Sequence, residues 1–218
     1  SATVRFDYEA PVPALADLGR VHVIAIGGAG MSAVARLLLA HGVSVSGSDA
    51  QESRGLAALR ERGARISIGQ AAENIADART IVVSTAIRET NPELAAAREA
   101  GLRVLHRSQA LGVAMHGSQV VAVAGTHGKT TTSSMAAVAL QECGQEPSWA
   151  IGAHVADLGT NAHLGRGRWF VAEADESDGS FLSYAPTIAV VTNIEPDHLD
   201  HYGSEEAFFQ AFEDFADT

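Results

Sequence analysis

The stretch VVAVAGTHGKTT, Val120 to Thr131, decides how this chain is read. Its first half is a short run of small and β-branched apolar residues, the pattern of a strand buried on both faces of a parallel sheet. Gly125 and Gly128 interrupt that run. KTTTSSMAAVALQECG then carries apolar residues at helical spacing and stops at Gly144. Strand, glycine turn and helix in that order make a phosphate-binding corner. The N–H groups of the turn and the positive end of the helix dipole face an anion. Gly128 permits the bend, Lys129 can reach β and γ phosphates, and the Thr130 hydroxyl can bind Mg²⁺. The match to the general pattern G-x-x-x-x-G-K-[ST] is partial, because Val123 stands where its first glycine falls. The nucleotide-binding set read from this loop is Gly125, Thr126, His127, Gly128, Lys129, Thr130 and Thr131.

A second glycine turn lies earlier, in VIAIGGAGMSA, Val23 to Ala33. Gly28, Gly30 and Ala33 fit G-x-G-x-x-A directly after one strand, and Asp49 closes the next. This is the context of a dinucleotide fingerprint: glycine lets the backbone approach a pyrophosphate, and the acid accepts hydrogen bonds from a ribose. The motif alone does not separate NAD from another nucleotide diphosphate, and an NAD-dependent oxidoreductase is one reading of it.

Around these corners the pattern alternates. RVHVIAI, VSVSGSD, RISIG, TIVVSTA and RVLHR read as strands. MSAVARLLLAHG, RGLAALRERG, NPELAAAREAG and SQALGVAM read as the helices between them. Such alternation predicts an α/β fold with a doubly wound parallel sheet. HGSQ, His116 to Gln119, reads as a hinge, which divides the chain into domains at 1–118 and 119–218. After it the pattern restarts with VVAVAG, RWFVAEAD and TIAVVTN as clear strands and a possible fourth near Trp149. In GSEEAFFQAFEDFADT, Phe208, Phe209, Phe212 and Phe215 are expected on one helical face as core contacts.

Composition excludes several classes. At 46% hydrophobic and 19% charged the chain suits a packed globular protein. A formal net charge of −11 argues against a nucleic-acid partner, which needs a basic surface. Cys143 is the sole cysteine and forms no internal disulfide, which fits a reducing compartment. No apolar run reaches the roughly 18 residues that span a bilayer. The expectation is a cytoplasmic protein without membrane contact.

Carboxylates and histidines gather after the later strands. EADESDGSF puts Glu173 and Asp175 at a strand's C-terminal end, where ligands of open α/β sheets collect. TNIEPDHLDHYG follows the next strand and holds Asn193, Glu195, Asp197, His198, Asp200 and His201. Mg²⁺ takes oxygen ligands, one or two carboxylates with substrate phosphates, so Glu173 and Thr130 are its candidate ligands. His198 is an unusual partner for Mg²⁺. His154 and His163 read as surface or structural residues.

Taken together, GGAGMS, SGSD, GTHGKTTT, EADESDGSF and TNIEPDHLDHY resemble the Mur ligases of peptidoglycan synthesis, over about Val21 to the end of the chain. The resemblance implies a Rossmann-like first domain that holds a UDP-sugar rather than NAD. It implies a P-loop ATPase second domain whose loop dispenses with the first glycine, so Val123 is no defect. A third domain, for the incoming amino acid, is expected beyond the end of this chain, which implies a nucleotide-binding piece that is inactive alone. The implied activity is ATP-dependent: the lactyl carboxylate of UDP-N-acetylmuramate is phosphorylated, and the amine of L-alanine attacks the acyl phosphate to form an amide. A relative that adds a preformed tripeptide to the same sugar is the alternative within the family. Lys129, Glu173 and His198 are the implied catalytic residues, with Thr130, Glu173 and His198 holding two Mg²⁺ ions. Gly28, Ala29, Gly30, Met31 and Ser32 would cradle the UDP pyrophosphate. Asp49 would meet the uridine side, and Ser84 and Thr85 would add UDP contacts.

Overall fold

The computed structural model describes residues 6–8, 10–175, 181, 184–195 and 202–217. The chain divides into two units, the first built mainly from Pro11–Ala114 and the second mainly from Met115–Thr218.

In the first unit the strands are β1 (Val21–Ile24), β2 (Val45–Asp49), β3 (Arg65–Ile68), β4 (Thr80–Val83) and β5 (Arg103–His106). They form one five-stranded sheet in the order β3-β2-β1-β4-β5, every pair parallel. All residues of β1 and β4 are buried, as continuous apolar runs covered on both faces require. The connecting helices are α1 (Ala29–Ala40), α2 (Arg54–Glu61), α3 (Pro92–Glu99) and α4 (Arg107–Met115). Ser53 caps α2 by accepting from Leu56 N–H, and Asn91 caps α3 by accepting from Glu93 and Leu94 N–H. β2 and β4 flank β1 on opposite sides, so the winding reverses between β1 and β4. Ligands of open sheets bind at such switch points, outside the strands' carboxyl ends. The glycine turn follows β1, and Ser84 and Thr85 follow β4, which puts both groups at that point.

A buried polar network ties α3 to this sheet. Glu93 and His22 are both fully buried. Ser48 Oγ donates to Glu93 Oε2 at 2.6 Å, and Asn74 Nδ2 donates to Oε1 at 2.6 Å. His22 Nε2 stands 3.5 Å from Oε2, and its Nδ1 pairs with Ser46 Oγ at 2.8 Å. Burial works against the charge on Glu93, yet His22, Ser48 and Asn74 together outweigh it and hold the carboxyl below its ordinary range.

In the second unit β6 (Gln119–Ala124), β7 (Ser148–Val155), β8 (Thr160–His163), β9 (Trp169–Glu173) and β10 (Ile188–Val191) form a sheet in the order β10-β6-β9-β7-β8. The pairs among β10, β6, β9 and β7 are parallel, and β8 runs antiparallel to β7. The sequence reading reached β7 only as a possible strand near Trp149 and missed β8. The segment TNAH has no β-branched or aromatic run. It is a strand because β7 offers it an edge. The helices of this unit are α5 (Lys129–Glu142) and α6 (Glu205–Asp217). On α6 the expected aromatic face is only partly right. Phe208, Phe212 and Phe215 are buried, whereas Phe209 is 39% exposed, because one step along a helix turns a side chain by about 100° off that face. Phe181 packs against Phe212 and Phe215 with ring centroids 5.4 and 5.1 Å apart. No helix among the described residues is long and apolar enough to cross a membrane.

Candidate functional site

The first corner is built by backbone. Ala25 takes a left-handed φ of +57° at the end of β1, a conformation uncommon without a structural reason. Gly28 caps α1 in extended conformation, and its carbonyl accepts from Ser32 N–H at 2.7 Å. Ala29, Gly30 and Met31 thus form the first turn of α1, where N–H groups lack helical partners and can receive an anion, while Ser32 N–H is already engaged by Gly28 O. The Met31 side chain is itself buried in the core, so only its backbone is offered to a ligand. Ser32 Oγ donates to Ala29 O at 3.0 Å.

Asp49 braces this turn. Its Oδ2 accepts from Gly27 N–H at 2.8 Å, and its Oδ1 accepts from Ala50 N–H at 2.8 Å. Both oxygens are therefore engaged, and a ribose hydroxyl would use their remaining lone pairs. Gly27, absent from the fingerprint as read, is needed here: a Cβ on it would lie 2.7 Å from Asp49 Oδ2. Arg107 was also missed. A Cβ on Gly30 would stand 3.2 Å from Arg107 Nη1, so a guanidinium adjoins the first turn of α1. Its signal in the sequence was a single basic residue directly after the strand RVLH.

The second corner follows β6. Val123 is buried within that strand, so the turn begins at Gly125 and is shorter than the general pattern. Gly128 caps α5 at φ +84°, a left-handed value that glycine adopts without strain. Lys129 Nζ donates to Gly125 O at 2.6 Å, folding the side chain back over the turn. The Thr126 and His127 N–H groups donate to Asn193 O at 3.1 Å and Asn193 Oδ1 at 3.0 Å. The N–H groups left for an anion are those from Gly128 into the first turn of α5, including Thr130 and Thr131.

Strand pairing brings Glu173 to this corner. Val123 of β6 is in register with Glu173 at the end of β9. Thr130 Oγ1 donates to Glu173 Oε2 at 3.1 Å, and Gly152 N–H donates to the same oxygen at 2.8 Å. A hydroxyl and a carboxylate this close beside a phosphate loop are an oxygen donor set that suits Mg²⁺ once the hydroxyl rotates. Among the described residues no group of three or more His, Cys, Asp or Glu side chains could hold a metal; a Mg²⁺ site of one carboxylate, one hydroxyl and substrate phosphates needs no such cluster. His198, Asp197, Asp200 and His201 lie outside the described residues.

Comparisons with known proteins show what the chain as a whole is similar to. Residues 20–119 match the profile of the Mur ligase family, catalytic domain, and residues 123–218 that of the Mur ligase middle domain. The chain is 64% identical over 201 residues to the UDP-N-acetylmuramate–L-alanine ligase of Renibacterium salmoninarum, covering 92% of this chain and 43% of that protein. It is 62% identical over 205 residues to the enzyme of the same name from Paenarthrobacter aurescens, with 94% and 45% covered. It therefore spans less than half the length of these curated relatives. Among solved structures, the UDP-N-acetylmuramate-alanine ligase of Thermotoga maritima superposes with a TM-score of 0.85 at 33% identity, covering 91% of this chain and 47% of that one. The UDP-N-acetylmuramate:L-alanyl-gamma-D-glutamyl-meso-diaminopimelate ligase of Neisseria meningitides superposes with a TM-score of 0.83 at 30% identity, covering 91% and 67%.

Proposed function

We propose, for a chain that belongs to the Mur ligase family, that residues 1–118 bind UDP-N-acetylmuramate and residues 119–218 bind ATP with Mg²⁺. Together they serve an ATP-dependent ligase that joins L-alanine to the lactyl carboxylate of the sugar in peptidoglycan precursor synthesis. The observation that carries this reading is the meeting of Lys129, Thr130 and Glu173 at the ends of β6 and β9, with Thr130 Oγ1 3.1 Å from Glu173 Oε2. Curated relatives at 57% to 64% identity carry the alanine-ligase name, which favours L-alanine over a tripeptide.

In this mechanism the carboxylate oxygen attacks the γ-phosphorus of ATP and ADP leaves. The amine then attacks the acyl-phosphate carbonyl, phosphate leaves, and the amine loses a proton. Lys129 exchanges its bond to Gly125 O for the β and γ phosphates and neutralises charge as the phosphoryl group transfers. The N–H groups of Gly128 and the first turn of α5 hold the same phosphates by dipole and hydrogen bond. Thr130 and Glu173 would hold Mg²⁺, and His198 would help hold a second ion. Bound there, the metal would screen the negative charge of the phosphates. Ala29, Gly30 and Met31 offer backbone N–H groups to the UDP pyrophosphate, flanked by Gly28 and Ser32 and aided by the Arg107 guanidinium, with Asp49, Ser84 and Thr85 toward the nucleoside. The task at both corners is positioning and charge neutralisation.

Calorimetric titration tests the reading. UDP-N-acetylmuramate and MgATP are expected to bind, and NADH is not. Binding of NADH without the UDP-sugar would favour an oxidoreductase, a reading that leaves the second corner without a task.

A further inference from the structure

Gly125 has φ +138°, and a Cβ on it would stand 2.0 Å from Thr192 Oγ1 and 3.1 Å from Asn193 O. The phosphate loop is therefore pressed against the segment that follows β10. The hydrogen bonds there converge on one residue, His127. His127 O accepts from Thr192 Oγ1 at 2.6 Å and from Asn193 Nδ2 at 2.8 Å, which engages both its lone pairs. His127 N–H donates to Asn193 Oδ1 at 3.0 Å. The Asn193 side chain thus pairs with His127 as a neighbouring strand would, donor to acceptor and acceptor to donor. Next door, Thr126 Oγ1 donates to Glu195 O at 3.0 Å and accepts from Glu195 N–H at 2.9 Å.

A trans peptide is planar, with its C=O and the following N–H pointing in opposite directions. Fixing the His127 carbonyl on the Asn193 side therefore aims the Gly128 N–H to the other side, where α5 begins. We infer that Asn193, helped by Thr192, is the positioning residue of the phosphate loop: it sets the direction of the Gly128 N–H and holds the turn in its ligand-ready form. The inference rests on the reading of this loop as the ATP site. Asn193 touches no phosphate in this role. It acts through His127, and because an amide is neutral it adds no charge that would repel the anion. Preorganised donors of this kind bind without a further ordering cost.

The test uses Asn193→Ala and Asn193→Asp in the full chain, titrated with MgATP and, separately, with UDP-N-acetylmuramate. MgATP affinity is expected to fall roughly tenfold for Asn193→Ala, the loss of two hydrogen bonds to the backbone of His127. Asn193→Asp should lose more, since it keeps the acceptor, loses the donor and adds a negative charge. UDP-sugar affinity should stay within about twofold of the parent for both. The amide ¹H–¹⁵N shifts of Gly128 and Lys129 on adding MgATP should shrink in both variants, a signature that general destabilisation does not give. If Asn193→Ala fails to fold, Thr192→Val deletes one donor to His127 O and should weaken MgATP roughly threefold. Asn193→Ala binding MgATP within twofold of the parent, with parental amide shifts, overturns the inference and leaves the ATP-site reading standing. Parallel loss of both ligands overturns it as well, by marking a general structural role. A parent chain that binds no MgATP overturns the reading and the inference with it.

Discussion

Asp49 braces the first glycine corner and Asn193 the second. In the first, the carboxylate accepts from Gly27 N–H across 22 residues, the span of a single β-α-β crossover. In the second, the amide pairs with His127 across 66 residues, from the segment that follows β10, the strand beside β6. The two braces also differ in charge. An anion holding the first turn can still accept from a ribose, while its repulsion of a pyrophosphate is offset by the helix end and by Arg107. A neutral amide holding the second turn leaves the whole charge of Lys129 for a triphosphate. The comparison teaches that one backbone device, a glycine turn feeding a helix, is specialised by the group that braces it from behind.

Replacing Lys129 by Ala should break the comparison most sharply. MgATP affinity is expected to fall roughly 100-fold, with UDP-sugar affinity within twofold of the parent, both read by calorimetry. Equal loss of both would mean that the corners do not act separately. Next comes a matched pair of glycine substitutions. Gly125→Ala forces a Cβ onto Thr192 at positive φ, and should weaken MgATP and cost about 1–3 kcal/mol of stability in the second unit. Gly27→Ala forces a Cβ onto the Asp49 carboxylate and should weaken only the UDP-sugar, by roughly tenfold. A Gly27→Ala variant that loses MgATP instead would reverse the assignment of ligands to corners.

A smaller effect is expected from Asp49→Asn. It presents an amide donor to one of two backbone N–H groups, and UDP-sugar affinity should fall several-fold, by about 1 kcal/mol. The smallest effect on either ligand is expected from Glu93→Gln, whose readout is stability. The folded carboxyl of Glu93 titrates below its ordinary value of 4.5. Its contribution is therefore fully present above that value and is lost as pH falls through the folded pKa. In denaturant unfolding the parent should exceed Glu93→Gln by about 1–3 kcal/mol at pH 7, and the gap should narrow below about pH 4.5. A gap that widened with acid would show that Glu93 is held neutral rather than charged.

Much of this is legible in the sequence. Every strand of the first unit, Gly28, Gly30 and Asp49 at its corner, and Lys129 and Thr130 at the other were read from period, glycine placement and spacing. Each of those signals is local, since a buried strand, a cap or a tight turn is dictated by a few consecutive residues. What escaped was non-local or weakly patterned. β8 has a polar sequence and exists through its pairing with β7. Phe209 shares composition with its neighbours but not their direction on α6. Gly27 falls outside the G-x-G-x-x-A spacing and Arg107 carries no motif, and their places follow from the approach of Asp49 and from the chain's return at the start of α4.

The sequence by itself determined two strand–glycine–helix corners, the lysine and threonine of the second, and a family resemblance that the comparisons bear out. Only the tertiary structure decided that Glu173 stands beside Thr130, that Asp49 grips Gly27, and that Asn193 holds the His127 peptide. The physical reason is that local backbone preferences act within a turn or two of chain. Strand order is fixed instead by burying both faces of each sheet at once, and strand order chooses which distant loop each corner meets.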